Sequence, residues 1–215
     1  MKKISFCFTH KDRLAWNVGK ETLPLFMNCL STLKNQLTVL NIVNYEIVIT
    51  SFDNENTYQA LNIFLSELFP REKIIIIKKQ EDDFTRGGGR QIAFDNSTGD
   101  IIAFIDCDML FVRYIVIQKG IVHVDNNESY FPICSSMERD GTVTWRPTGT
   151  GNCFVPRNIA SELKWMSKKS WGVEDGDYMK LVGNLIKVNR DNCPGWYHQF
   201  HPNSASHPFP NLRTL

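Results

Sequence analysis

The stretch Gly99-Asp100-Ile101-Ile102-Ala103-Phe104-Ile105-Asp106-Cys107-Asp108 decides the fold of this chain. An unbroken apolar run opened by Gly99-Asp100 reads as a strand buried on both faces. Side chains alternate along a strand, so Asp106 and Asp108 point one way and Cys107 the other. Two carboxylates emerging together repel each other unless something positive lies between them. A divalent cation meets that need, and oxygen ligands favour Mg²⁺ or Mn²⁺ over softer metals. The end of a buried strand is also where open α/β sheets hold their ligands.

Upstream of this strand, strand and helix patterns alternate. Ile4-Ser5-Phe6-Cys7-Phe8 reads as a first strand, ended by the polar loop Thr9-His10-Lys11-Asp12-Arg13. Apolar residues recur at helical spacing over 14–40, and residues 45–50 read as a second strand followed by Ser51-Phe52-Asp53-Asn54. A helix over 60–69 is stopped by Pro70, and residues 74–77 read as a third strand. Gly87-Gly88-Gly89 leads into a helix over 90–96. The alternation predicts an α/β fold with a mostly parallel sheet flanked by helices. After residue 110 the pattern predicts β-like pieces at 115–124, 130–133 and 142–145, then helices at 157–166 and 174–182. No repeat or linker divides the chain, so 1–215 is expected to be one domain, with a nucleotide-binding half to about residue 110 and a loop-rich acceptor half over 111–215.

The chain is long enough for one well-packed domain and short for two, at 215 residues with 42% hydrophobic and 22% charged side chains. A formal net charge of +1 argues against a broad nucleic-acid surface. No apolar stretch approaches the roughly 20 residues that span a bilayer, and Met1-Lys2-Lys3 has no long apolar segment behind it. The six cysteines show no CxxC or zinc-like spacing, so reduced, buried thiols in a cytosolic protein are expected.

Three further constellations carry chemistry. In Phe84-Thr85-Arg86-Gly87-Gly88-Gly89-Arg90 the glycines let backbone pass close to a ligand. The helix behind them offers free N–H groups to phosphate. Arg86 and Arg90 reach the same anion if the segment is helical. The spacing is neither that of a P-loop nor GxGxxG, and the plain alternative is a turn with solvated arginines.

Ser170-Trp171-Gly172-Val173-Glu174-Asp175 sets carboxylates at a helix start, where the dipole alone would favour them. The adjacent tryptophan adds a flat apolar face for a sugar ring, beside which a carboxylate can take a hydroxyl proton. In Trp196-Tyr197-His198-Gln199-Phe200-His201-Pro202, two histidines in a short aromatic segment supply a third metal ligand, His198 first and His201 second.

In this order, these residues resemble the GT-A-fold, family-2-like glycosyltransferases. Within them the series is similar to the beta-1,4-galactosyltransferase and bacterial chondroitin-polymerase type. The resemblance implies that Thr9, His10, Arg13 and Asp53 line the uridine site. Phe84, Arg86, Arg90, Asp106 and Cys107 would line the rest of the nucleotide-sugar site. It further implies that Asp106, Asp108 and a late histidine, His198 or His201, hold Mn²⁺ (or Mg²⁺). Asp175 would be the catalytic base, Glu174 would contact the acceptor, and Trp171, Gly172 and Gly151 would line the acceptor site.

The pattern departs from that group at Thr85, at Gly87 to Gly89 and at Ser51-Phe52-Asp53-Asn54. The implied reaction is inverting transfer of a hexose or N-acetylhexosamine from a UDP-sugar to a glycan or lipid-linked glycan hydroxyl. By analogy the sugar is galactose or N-acetylgalactosamine. The expected setting is surface polysaccharide synthesis in the cytoplasm, with peripheral association at the inner membrane face. A sugar nucleotidyltransferase, a non-catalytic nucleotide-sugar or glycan-binding module and a metal-assisted hydrolase are the rivals. The glycine-free loop Thr9 to Arg13 counts against the first of these.

Overall fold

A computed structural model describes residues 2–14, 16–18, 21–138, 140–167 and 173–201. Strand β1 (Ile4–His10) and a short antiparallel pair, β2 (Trp16–Val18) and β3 (Glu21–Leu23), precede helix α1 (Leu25–Val39). Then come β4 (Tyr45–Ser51), α2 (Glu55–Leu68), β5 (Ile74–Lys78), α3 (Arg86–Asp95), β6 (Ile101–Asp106) and β7 (Met109–Phe111). After them follow α4 (Ile115–Asp125), β8 (Ser129–Tyr130), β9 (Ile133–Met137), β10 (Val143–Arg146) and β11 (Cys153–Pro156). Helices α5 (Arg157–Glu162) and α6 (Val173–Gly183) lead to β12 (Val188–Asn189) and β13 (Asn192–His198).

The large sheet has seven strands in the order β12-β8-β11-β6-β1-β4-β5. Strands β6, β1, β4 and β5 run parallel, whereas β11 is antiparallel to both β6 and β8. Strands from beyond residue 110 therefore complete the sheet begun before it. A second, four-stranded sheet has the order β10-β9-β13-β7.

Alternation along the strands builds two layers. Ile4, Phe6 and Phe8 of β1 and Ile101, Ala103 and Ile105 of β6 meet the apolar stripes of α1, α2 and α4. Cys7 of β1 and Ile102 and Phe104 of β6 meet α3, α5 and α6 on the opposite face. The α/β, helix-flanked expectation holds. Among the described residues no helix is long and apolar enough to cross a membrane.

Besides the helix expected over 157–166, which ends at Glu162 as α5, four local expectations change. The helix expected over 14–40 is only α1, because Pro24 stands at its N-cap and the chain before it forms β2 and β3. Helix α2 starts earlier than expected, capped by Asn54, whose side chain accepts from the Thr57 amide at 3.0 Å. The β-like reading of 115–124 is overturned: the segment is α4, burying Val116, Ile117, Gly120 and Val124 along one stripe. Its β-branched content favours strands, but helical spacing of the buried positions wins once a sheet lies beneath it.

The triple glycine is the fourth. It lies inside α3, whose N-cap Thr85 accepts from the Gly88 amide at 3.1 Å. A Cβ on Gly89 would stand 2.7 Å from Thr9 Oγ1, and one on Gly87 would overlap the Met166 carbonyl. The glycines thus bring α3 hard against β1 and the segment after α5, and Thr50 Oγ1 donates to the Gly89 carbonyl at 2.9 Å. Close helix-to-sheet packing, rather than a ligand-wrapping loop, accounts for them.

Candidate active site

Phe104 and Asp106 share a face of β6, so Asp106 emerges toward α3 and α6. There Arg90 of α3 is only 2% exposed, and its Nη2 donates to Asp106 Oδ1 at 2.6 Å. Its Nη1 donates to Asp175 Oδ1 in the first turn of α6. Burial opposes the guanidinium charge, but Asp175 and Asp106 outweigh it and hold the group more firmly protonated than usual. The guanidinium also lies over the Trp165 ring, 4.5 Å from its centroid, and Trp165 stacks on Tyr178 at 3.8 Å.

Asn152 completes this side. Its Oδ1 accepts from the Asp106 amide at 2.7 Å, and its Nδ2 donates to Asp106 Oδ2 at 3.2 Å. Gly151 sits where these groups converge: an added Cβ would lie 2.8 Å from Arg90 Nη2, 2.9 Å from Asp175 Oδ2 and 3.0 Å from Asp106 Oδ2. Glu174 is buried with its Oε2 lacking a hydrogen-bond partner among the described residues. Burial first, and then the charge of Asp175, raises its carboxyl above the usual range. Trp171 and Gly172 lie outside the described residues.

Asp108 meets a different set of groups. Strand β13 pairs antiparallel with β7, setting His198 opposite Met109, and the Gln199 amide donates to the Asp108 carbonyl at 2.9 Å. Gln199 is itself tied to α1 by Nε2 to the Leu25 carbonyl at 2.8 Å. His201 Nε2 then stands 3.1 Å and His198 Nε2 3.8 Å from Asp108 Oδ2. Burial pushes the Asp108 carboxyl up, yet His198, His201 and Arg13 together hold it well below the usual carboxylate range. Burial lowers His198 to about 4, so near neutral pH its imidazole is uncharged and free to act as a ligand.

Ligand atoms of Asp108, His198 and His201 all lie within 4.8 Å of one another. Asp108 Oδ1 is buried without a hydrogen-bond partner among the described residues. A carboxylate with one oxygen orphaned and the other facing two imidazoles is a donor set suited to a first-row transition metal. The two aspartates therefore part company: Asp108 joins both late histidines, while both oxygens of Asp106 are engaged by Arg90 and Asn152. Arg90, expected to meet the nucleotide, is committed to two acids instead.

The first loop lies along the same sheet edge. His10 stacks on Phe26 at 4.6 Å, and its Nδ1 meets Asp53 Oδ2. Asp53 also accepts from Ser51 Oγ at 2.6 Å and from the Asp12 amide at 2.7 Å. Burial works against its charge, but these hydrogen bonds, led by His10, keep the carboxyl low. Because both side chains are fully enclosed, Asp53 braces the loop from within. Phe84 packs edge-on to Phe52 at 5.4 Å, and Thr9 abuts α3, which Arg86 opens. The Cys107 thiol packs into the α1-side core, so only its backbone can face a ligand.

Asn152, Trp165 and Tyr178 were not singled out from sequence. Asn152 had a signal, since it follows the small-residue loop Gly149-Thr150-Gly151, but nothing in the sequence joins Trp165 or Tyr178 to Arg90.

Residues 21–178 match Glycosyl transferase family 2. The chain belongs to that family. No curated protein matches its sequence. Among solved structures, this family-2 member is similar to S. aureus TarS 1-349, at 11% identity and a TM-score of 0.65 over 92% of this chain and 60% of that one. It is similar to TarS 1-349 in complex with UDP, at 12% identity and 0.68 over 93% and 61%. With TarS 1-349 in complex with UDP-GlcNAc the values are 11% and 0.67 over 95% and 60%. At such identities the likeness carries the fold, which is GT-A, and the chain spans about 60% of the length of those TarS chains.

Proposed function

We propose that the chain is a UDP-sugar-dependent, metal-dependent glycosyltransferase that inverts the anomeric centre. It moves a hexose or N-acetylhexosamine onto the hydroxyl of a glycan or lipid-linked glycan. The observation carrying this reading is that Asp108, His198 and His201 converge beside the linked set Asp106–Arg90–Asp175 at the end of β6. The TarS complexes with UDP and UDP-GlcNAc support a UDP-sugar, so UDP-GlcNAc joins UDP-galactose and UDP-N-acetylgalactosamine as first donors to test.

Asp108, His198 and His201 would hold Mn²⁺, and the bound cation supplies Lewis-acid stabilisation to the departing diphosphate. Asp175 takes the proton of the attacking acceptor hydroxyl. Arg90 fixes its Oδ1, leaving Oδ2 turned toward Gly151. An acceptor hydroxyl would satisfy the orphaned Oε2 of Glu174. Asp106, steadied by Asn152, links donor and acceptor sides through the shared guanidinium.

The nucleotide half then runs to about residue 110 and the acceptor half over 111–215. The finer likeness to the galactosyltransferase and chondroitin-polymerase type rests partly on Trp171 and Gly172. Work at the inner membrane face on a surface polysaccharide is the setting we favour. The deciding experiment measures Mn²⁺-dependent release of UDP from each donor by wild type and Asp175→Asn. The variant should lose at least roughly 100-fold in transfer while binding UDP about as well as wild type. Retained turnover in Asp175→Asn would remove the base from this scheme.

A further inference from the structure

With Arg90 sealed between Asp106 and Asp175, one of the two arginines expected to meet the donor diphosphate is withdrawn from it. Arg13 is buried in the first loop. Resting on the function proposed above, we infer that Arg146, in β10, binds the diphosphate of the donor.

Register places it. Arg146 pairs with Cys134 of β9, and Ser136 of β9 pairs with His198 of β13. Paired residues share a face, as do residues two apart on one strand. Arg146 and His198 therefore project from the same side of the four-stranded sheet, toward the metal-binding group.

The acids of the site do not consume it. Asp106 and Asp175 are paired with Arg90, and Asp108 with His201. Among the described residues no carboxylate closes an ion pair with Arg146, although the residue is half-buried. The backbone that carries it is held. The Gly149 amide donates to the Arg146 carbonyl at 3.3 Å, and Arg190 Nη2 donates to the Pro147 and Gly149 carbonyls at 2.6 and 3.1 Å. A planar fork of donors on a fixed strand end, beside a cation site, matches the paired oxygens of a nucleoside diphosphate. A nucleoside without phosphate offers it nothing.

Calorimetry on the whole chain in Mn²⁺ tests this with uridine, UMP and UDP against wild type, Arg146→Ala and Arg146→Lys. Arg146→Ala should bind UDP roughly 10- to 100-fold more weakly, with uridine unchanged and UMP affected less. Arg146→Lys should fall between, because a point charge lacks the fork. Equal UDP affinity in wild type and Arg146→Ala overturns the inference. A parallel loss of uridine binding overturns it too, since the residue would then be holding the fold. Wild type that binds neither uridine nor UDP defeats the proposed function itself, a result distinct from either.

Discussion

Gly151 is where three charged side chains leave room for no side chain of its own. A methyl group there would press on Arg90, Asp175 and Asp106 at 2.8 to 3.0 Å. Gly151→Ala should therefore cut donor turnover more than about 10-fold and cost about 1–3 kcal/mol by thermal melting. Wild-type turnover would show that the cluster gives way freely. Asp108→Ala should abolish Mn²⁺-dependent strengthening of UDP binding, as seen by titration with and without the ion. Because two of the three candidate ligands are imidazoles, Mg²⁺ should replace Mn²⁺ poorly, roughly 10-fold or worse in the same titration. Alternation on one strand made Asp106 and Asp108 legible as a pair. It could not show their division of labour, because that depends on which distant elements arrive: α3 and α6 at Asp106, β13 at Asp108. Arg90 was visible as a candidate cation, but its engagement by two acids exists only after packing.

Among the elements, β4 is joined to its neighbours by a buried carboxylate. Glu46 accepts from Lys3 Nζ at 2.5 Å, Ser5 Oγ at 2.6 Å, the Thr98 amide at 2.5 Å and Thr98 Oγ1 at 3.0 Å. Burial pushes its carboxyl up, but these donors prevail and lower it from 4.5 to about 2. A carboxyl lowered on folding stabilises the native state above its unfolded value, and that contribution is lost as pH falls through the folded one. Glu46 should thus contribute about 3 kcal/mol at pH 7, fading between about pH 4.5 and 2. Urea melts of wild type and Glu46→Gln should differ by about 2–3 kcal/mol at pH 7 and converge near pH 2. A gap that persists unchanged in acid would assign the cost to packing. Elements with clean periodicity, such as β1, β4 and β6, were legible. Helix α4 was not, because its Ile and Val content suits a strand and only the sheet beneath it selects the helix.

At the scale of the molecule, ligands should act as a joint brace. Mn²⁺ and UDP together should raise the melting temperature more than either alone, with about 2.7 kcal/mol added at ligand a hundredfold above its dissociation constant. A chelator should reverse the gain, and additive or absent shifts would separate the cation from the nucleotide. The α/β class was legible from alternation in the first half. Of the small sheet, β10 was legible over 142–145, whereas β7 and β13 were not, because they pair with each other across a long stretch of chain. That pairing has a consequence for biosynthesis. Asp108 leaves the ribosome some ninety residues ahead of His201, so a nascent chain displays the strand-end carboxylates well before it owns the imidazoles. On the proposed assignment, competence toward metal would come only when β13 closes onto β7, so a half-made chain would hold neither the cation nor the donor sugar.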